Sequence, residues 1–176
     1  MDETTPRALV LPFGGATPVL HPGVYLAPTS VVIGDVELGD DTSVWFQTVV
    51  RGDVHRIRVG RRSNLQDLVV VHVTYQTGPT TIGDDVTVGH GAVIHAATIG
   101  DRCLIGMRAV VLDGARIGDD SIVGAGALVP PGMELPPGSV ALGVPAKIVR
   151  KVTDADRAMI RELGRRYLEY TVPGYR

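Results

Sequence analysis

The stretch "IGDRCLIGMRAVVLDGARIGDDSIVGAGALV", Ile99 to Val129, decides the fold. An aliphatic residue returns every six positions: Ile99, Ile105, Val111, Ile117, Val123 and Val129. Four residues after each of the first five stands a small one: Cys103, Ala109, Ala115, Ser121 and Ala127. Neither a helical 3.6 period nor a plain strand alternation of two gives this pattern by itself. A short strand followed by a tight corner, repeated, does. Large and small residues then alternate inward, as the interior of a narrow prism requires.

Working backward, the aliphatic phase continues through Ile94, Val88 and Ile82, then Val71, Leu65 and Val59, then Val50, Val44 and Leu38. The small or β-branched phase follows it at Ala92, Val86, Val69, Ser63, Thr48 and Thr42. Glycine trails the aliphatic residue repeatedly, as in Ile33-Gly34, Val59-Gly60, Ile82-Gly83 and Val88-Gly89. Three steps depart from six. "RGDVHRIR" makes one step nine residues and "HVTYQTGPTT" makes one step eleven; both are expected as loops bulging at a corner. "IHAAT" makes one step five, a deletion. Such self-similarity reads as a solenoid, in which each coil buries its core against its neighbours and the two ends need caps.

This repeat, over roughly Ala27 to Val129, resembles the hexapeptide-repeat family. The resemblance implies a left-handed parallel β-helix with three hexapeptides, 18 residues, to each triangular coil. Handedness comes from the resemblance alone, since parallel crossovers are otherwise right-handed. The expected architecture is an all-β solenoid over residues 1–152, with the repeats at about 27–134, followed by a C-terminal α-helix over 153–176 that packs on it. "MELPPGSVALGVPAKIVRKV" is a proline-broken exit. In "TDADRAMIRELGRRYLEY", Thr153 and Asp156 form a capping box, and Ile160, Leu163, Tyr167 and Leu168 fall near one face. Gly164 weakens that helix by about 1 kcal/mol.

The totals exclude several functions. A net charge of −2 with 20% charged residues offers no nucleic-acid groove and no polybasic membrane anchor. No apolar run approaches the roughly 18 residues of a spanning helix. The opening "MDETTPRALVLPFGG" is a poor signal peptide. One cysteine, Cys103, allows no internal disulfide and fits a reducing, cytoplasmic setting; its small-residue slot makes it a core thiol.

The repeat gives each histidine an address. Number the faces so that Leu38, Val59, Ile82, Ile99 and Ile117 start the first, Val44, Leu65, Val88, Ile105 and Val123 the second, and Val50, Val71, Ile94, Val111 and Val129 the third. His72 and His95 then occupy the same outward position of the third face, one coil apart. Parallel strands lie about 4.8 Å apart, and two imidazoles that close can share one metal ion through bonds of about 2.0–2.1 Å. Arg51 lies in the same column below His72. His90 falls on the second face, around the corner, one coil above Asp67 and beside Gln66. A stiff prism does not bend it back to the pair. A homotrimer in which the second face of one subunit meets the third face of the next brings His90 to its neighbour's pair.

At these residues the resemblance sharpens. "SVWFQTVVRGDVHRIRVGRRSNLQDLVVVHV" and "TIGDDVTVGHGAVIHAATIGDRCLIGMRAVVLDGA" resemble the γ-class carbonic anhydrases and bacterial relatives linked to phenylacetate and carnitine metabolism. The resemblance implies metal ligands at His72, His90 and His95, with His90 donated across a subunit interface. It implies that Arg51 and Asp53 pair across that interface and that Gln66 hydrogen-bonds the metal-bound water or substrate. Asp67 is a candidate acceptor for a ligand imidazole. Tyr167 resembles a tyrosine of the C-terminal helix that overhangs the site and touches substrate. The implied ion is Zn2+, with Fe2+ or Co2+ as alternatives. Three imidazoles leave a fourth position in which the metal lowers the pKa of water toward about 7, so that hydroxide can attack CO2 to give bicarbonate.

Two features depart from the archaeal prototype of that family. Val54 stands where a glutamate follows the RGD-type aspartate, and "VTYQTGP" lacks the acidic residues that export protons. His55 is a candidate replacement, and weak hydration activity is the expectation. Three other functions fit a hexapeptide chain: hydrolysis of a small acyl-CoA thioester at the same metal site, acyl transfer, and a non-catalytic metal-stabilised scaffold. His21, beside Pro22, is expected as a solvated loop residue, and Trp45, pointing outward, as a subunit contact.

Overall fold

The computed structural model describes residues 7–175. Met1 to Pro6, which open the segment read against a signal peptide, lie outside the described residues, as does Arg176.

Short strands stack in parallel register on three faces. The first face carries Val19–Leu20, the ends of Val31–Leu38 and Val49–Val59, then Thr80–Ile82, Thr98–Ile99, Arg116–Ile117 and Glu134–Leu135. The second carries Tyr25–Leu26, Ser43–Val44, Asn64–Leu65, Thr87–Val88, Leu104–Ile105, Ile122–Val123 and Ser139–Leu142. The third carries Leu9–Leu11, the starts of the two long strands, then Val70–His72, Val93–His95, Val110–Val111 and Leu128–Val129. The three aliphatic series pair within themselves, as in Val88 opposite Ile105 and Ile94 opposite Val111. The chain is therefore the parallel β-solenoid that the six-residue period implies.

The interior is one continuous cluster. Val50, Leu65, Val71, Ile94, Ile105 and Val111 are fully buried, and so are the small-phase residues Thr42, Thr48, Val86, Ala92, Cys103, Ala109 and Ala115. Buried hydroxyls are hydrogen-bonded, since an unpaired buried polar group is costly. Thr42 Oγ1 donates to the Gly60 carbonyl at 2.7 Å and Ser63 Oγ to the Gly83 carbonyl at 2.8 Å. At the corners, residues such as Asp41, Arg62, Asp85, Arg102 and Asp120 adopt positive φ, which Asp tolerates better than most. A charge ladder ties these corners together. Arg62 donates twice to Asp85, and Arg102 donates to Asp120 at 2.9 and 3.1 Å.

The departures from six residues resolve differently. In "RGDVHRIR" the strand Val49–Val59 passes the corner and belongs to two faces; Val49 to Gly52 and Ile57 to Val59 pair with Val31–Leu38, and the residues between them, 53–56, bulge opposite Asp35. The offset between those strands changes from 18 to 21 residues after Gly34, so the added residues are absorbed inside the ladder. The eleven-residue step does form a small loop, closed by an antiparallel bridge between Thr74 and Gly78.

A buried patch on the outside of the second face, Ile122 and Val140, receives Ile160 and Val152 from the C-terminal segment. The helix runs over Asp154–Arg166 with Thr153 as its N-cap, and the capping box with Asp156 is present. It then widens into a π-helical turn, Tyr167–Thr171, before the last turn Val172–Tyr175. Those last turns correct the expectation for Trp45. Its side chain faces out of the prism, yet it is only 3% exposed. Tyr167 and Tyr175 of the same chain pack edge-on against it, with centroids 5.2 and 5.5 Å away, so its outward face is already taken. His21 is the exposed loop residue expected, with its Nε2 2.9 Å from Glu37 Oε1.

Candidate metal centre

His72 and His95 end adjacent strands and are direct register partners. The strand that carries His72 is fixed by its own carbonyl, which accepts from Ala96 N at 3.1 Å and from Thr80 Oγ1 at 2.6 Å. The two imidazoles face each other, with His72 Nδ1 3.2 Å from His95 Nε2. Their outer nitrogens each meet a carboxylate. His72 Nε2 lies 3.1 Å from Asp53 Oδ1, and His95 Nδ1 lies 2.6 Å from Asp113 Oδ1.

This chain of four side chains has a chemical consequence. Burial works to raise the Asp53 pKa, but hydrogen bonds from His72 and Arg51 outweigh it and hold the group below its ordinary value. The Thr74 hydroxyl, working against burial and joined by His95, lowers that of Asp113. Ionised carboxylates only accept hydrogen bonds, so each outer imidazole nitrogen carries the proton. In neutral rings the inner nitrogens are then both lone pairs, aimed at one another. A proton shared between the two rings, or a metal ion, satisfies both. The donor set fits a metal ion: bonds of about 2.0–2.1 Å meeting at a tetrahedral angle hold two nitrogens about 3.3 Å apart. Carboxylates behind ligating histidines are the usual means of fixing their tautomer.

His90 stands apart from this pair. Its Nδ1 lies 2.8 Å from Asp67 Oδ2, which leaves Nε2 to point outward. Asp67 is itself held by the Phe46 N–H, which donates to Oδ1 at 3.1 Å. His90 N donates to Gln66 Oε1 at 3.2 Å, and Gln66 Nε2 donates to Asn64 Oδ1 at 3.3 Å. Asn64 in turn donates to Thr87 Oγ1 at 2.9 Å. Gln66 is thus buried and engaged by its own chain. Burial raises the Tyr167 pKa, and the nearby Asp67 charge raises it further, which puts this tyrosine beside the His90 cluster. Among the described residues of one chain, no three His, Cys, Asp or Glu side chains gather to hold a metal ion.

Arg51 and Asp53, expected to pair across an interface, lie against each other within this chain. Asp113 was not anticipated at all. A signal for it existed, since it lies 18 residues after His95, one full coil. The five-residue step shifts the strand register to 17 there, pairing Ile94 with Val111, so Asp113 falls one place beyond the histidine column. Asn64 and Thr74 were likewise missed, because their roles are set by side-chain contacts that the repeat phase does not encode.

The model of the bacterial transferase hexapeptide family (six repeats) matches residues 96–131. A probable carbonic anhydrase of Methanocaldococcus jannaschii is 51% identical over 151 residues, which cover 86% of this chain and 94% of that one. The mitochondrial gamma carbonic anhydrase 2 of Arabidopsis thaliana is 43% identical over 86% of this chain, which spans only 56% of the plant protein's length. Among solved structures, a hexapeptide transferase family protein from Anaplasma phagocytophilum superposes with a TM-score of 0.91 at 34% identity, covering 96% of this chain and 98% of the other. No helix among the described residues is long and apolar enough to cross a membrane. The pattern of histidines, the repeat and the extent of these identities place the chain in the γ-class carbonic anhydrase-like family of hexapeptide-repeat proteins.

Proposed function

We propose that this chain is a homotrimeric, metal-dependent carbonic anhydrase that interconverts CO2 and bicarbonate, with Zn2+ as the ion and Fe2+ or Co2+ able to replace it. The observation that carries this reading is the facing pair His72 Nδ1 and His95 Nε2, 3.2 Å apart with both outer nitrogens on carboxylates. His90, held by Asp67 on another face, supplies the third ligand from a neighbouring subunit.

The bound ion supplies Lewis acidity that makes water nucleophilic near neutral pH. The protein's own groups do the positioning. Asp53 holds the His72 ring and is neutralised by Arg51. Asp67 aims His90 outward. The Gln66 amide nitrogen carries a second hydrogen beyond the one given to Asn64, available to a substrate oxygen. Tyr167 closes the apolar side, packed on Trp45. Proton export is the weak link, since Val54 and the loop Val73 to Pro79 carry no carboxylate. His55 accepts from Arg56 N at 2.8 Å through Nδ1, which leaves Nε2 to carry a proton outward. Slow, buffer-limited hydration follows from this.

The transferase name of the structural relative travels with the repeat; the facing imidazoles favour the hydrolytic-type metal site. Subunit complementation tests the reading. His72→Ala and His90→Ala homotrimers should each lose bound metal and stopped-flow CO2 hydration. Trimers re-formed from an equal mixture should recover part of both, because one kind of interface then pairs an intact His90 with an intact His95–His72 pair. Unchanged metal content in His90→Ala sinks the shared-site reading. Metal-replete protein that hydrolyses small acyl-CoA thioesters but does not hydrate CO2 sinks the anhydrase.

A further inference from the structure

Asp113 reaches the candidate site from the coil beyond His95. Its Oδ1 lies 2.6 Å from His95 Nδ1, and its Oδ2 accepts from the Thr74 hydroxyl. Thr74 belongs to the loop that follows the His72 strand, and that loop is pinned in place. Thr74 N donates to the Gly78 carbonyl at 2.9 Å, and Gly78 N returns a bond to the Thr74 carbonyl at 3.2 Å. Gly78 approaches the corner after His95 so closely that a Cβ added to it would sit 2.7 Å from Ala96 Cβ. The loop after His72, the corner after His95 and the Asp113 corner are therefore clasped together across three coils. A cavity of about 370 Å3 lies beside the clasp, lined in part by Thr74, Gly78, Ala96 and Asp113.

The clasp has a direction. The Thr74 hydroxyl has one hydrogen to donate, and it goes to one oxygen of Asp113. The other carboxylate oxygen is left to accept, so the ring nitrogen facing it must be an N–H. That leaves His95 Nε2, the nitrogen turned toward His72, as the lone pair. Without the carboxylate the two tautomers of a neutral imidazole compete, and one of them presents an N–H where the ligand lone pair is needed.

We propose that Asp113 is a positioning residue that sets His95 to its Nδ1–H tautomer and aims Nε2 at the ion shared with His72, with Thr74 orienting Asp113 for that task. This rests on the metal reading above. It makes a directional prediction for Asp113→Asn. The Thr74 hydroxyl takes the amide oxygen, which turns the NH2 group toward His95 and forces the opposite tautomer. The substitution is nearly isosteric, so the loss is one of chemistry rather than of packing.

The experiment measures Zn2+ affinity of the full chain by competition with a chromophoric chelator. It compares wild type, Asp113→Asn, Thr74→Val and Thr74→Ser, and reads the imidazole tautomer of the metal-free protein from nitrogen-15 NMR. Asp113→Asn should bind Zn2+ about 10–100-fold more weakly and show the His95 proton moved to Nε2, with the oligomer's mass unchanged. Thr74→Val should lose less, and Thr74→Ser should bind as wild type does. Wild-type affinity in Asp113→Asn overturns the proposal, as does a wild-type His95 protonated on Nε2. If Asp113→Asn does not fold, Thr74→Val, which keeps the carboxylate, and the wild-type tautomer decide the matter. A wild-type protein that binds no Zn2+ removes the metal reading and this proposal together; tight wild-type binding with an unaffected Asp113→Asn removes this proposal alone.

Discussion

His72 and His95 are register partners whose ring nitrogens face each other at 3.2 Å, each braced from behind by a carboxylate. The coils themselves are held by the aliphatic core and the strand ladder rather than by these rings. Chelation should therefore leave the parallel β signal in circular dichroism intact while lowering thermal stability. At a free ion concentration 100 times the Kd, the folded state gains about 2.7 kcal/mol by mass action. Thermal unfolding with and without metal reads this difference; equal midpoints would mean that no ion binds the folded protein.

Gly106 explains why glycine trails the aliphatic residue in the repeat. A Cβ there would sit 2.4 Å from Ala125 N and 2.6 Å from Gly124 C, both backbone atoms of the next coil. Neither can move without opening the ladder. Gly106→Ala should destabilise the chain by about 1–3 kcal/mol, the usual cost of overpacking. Chemical denaturation measures it, and a neutral result would show that adjacent coils slide more easily than their spacing suggests.

Cys103 is fully buried in the core, and burial pushes its thiol up to about 12. Only the thiolate attacks a disulfide reagent. Native protein should therefore resist thiol labelling at neutral pH, and one thiol per chain should appear on denaturation. Labelling that tracks the unfolding curve supports this; rapid labelling of the native protein contradicts it.

Asp120 ties the acid limb of stability to the corner ladder. Hydrogen bonding from Arg102, working against burial, lowers its pKa from the usual 3.8. A carboxyl with a lower pKa folded than unfolded binds fewer protons in the folded state between the two values. Its stabilisation is thus fully present above pH 3.8 and is lost as pH falls through the folded value. Asp120→Asn should flatten the fall in melting temperature below about pH 4, and at neutral pH it should cost no more than about 1 kcal/mol, because the pair is partly exposed. Asparagine suits the positive φ of this corner, so the backbone is not strained by the change.

The sequence alone determined the solenoid and the address of each histidine. Its six-residue phase is a local steric pattern, a large side chain then a small one at every inward position, and nothing distant is needed to read it. Hence the stacking of Ile94 on Val71, and of His95 on His72, follows from counting. Tertiary structure decided what surrounds those histidines. Which carboxylate meets each ring nitrogen depends on corners and on the five-residue step, which brings Asp113 to His95 from one place off the column. The strand through Arg51 and Asp53 crosses its corner because a neighbouring strand pairs with it on both sides of the bulge at residues 53–56. Trp45 is covered because a π-helical turn, which no periodicity announces, swings Tyr167 over it while Tyr175 of the last turn packs beside it. Inward positions obey one repeated constraint and are legible in the chain. Outward positions answer to whatever loop, helix or coil reaches them, and only the folded molecule brings those together.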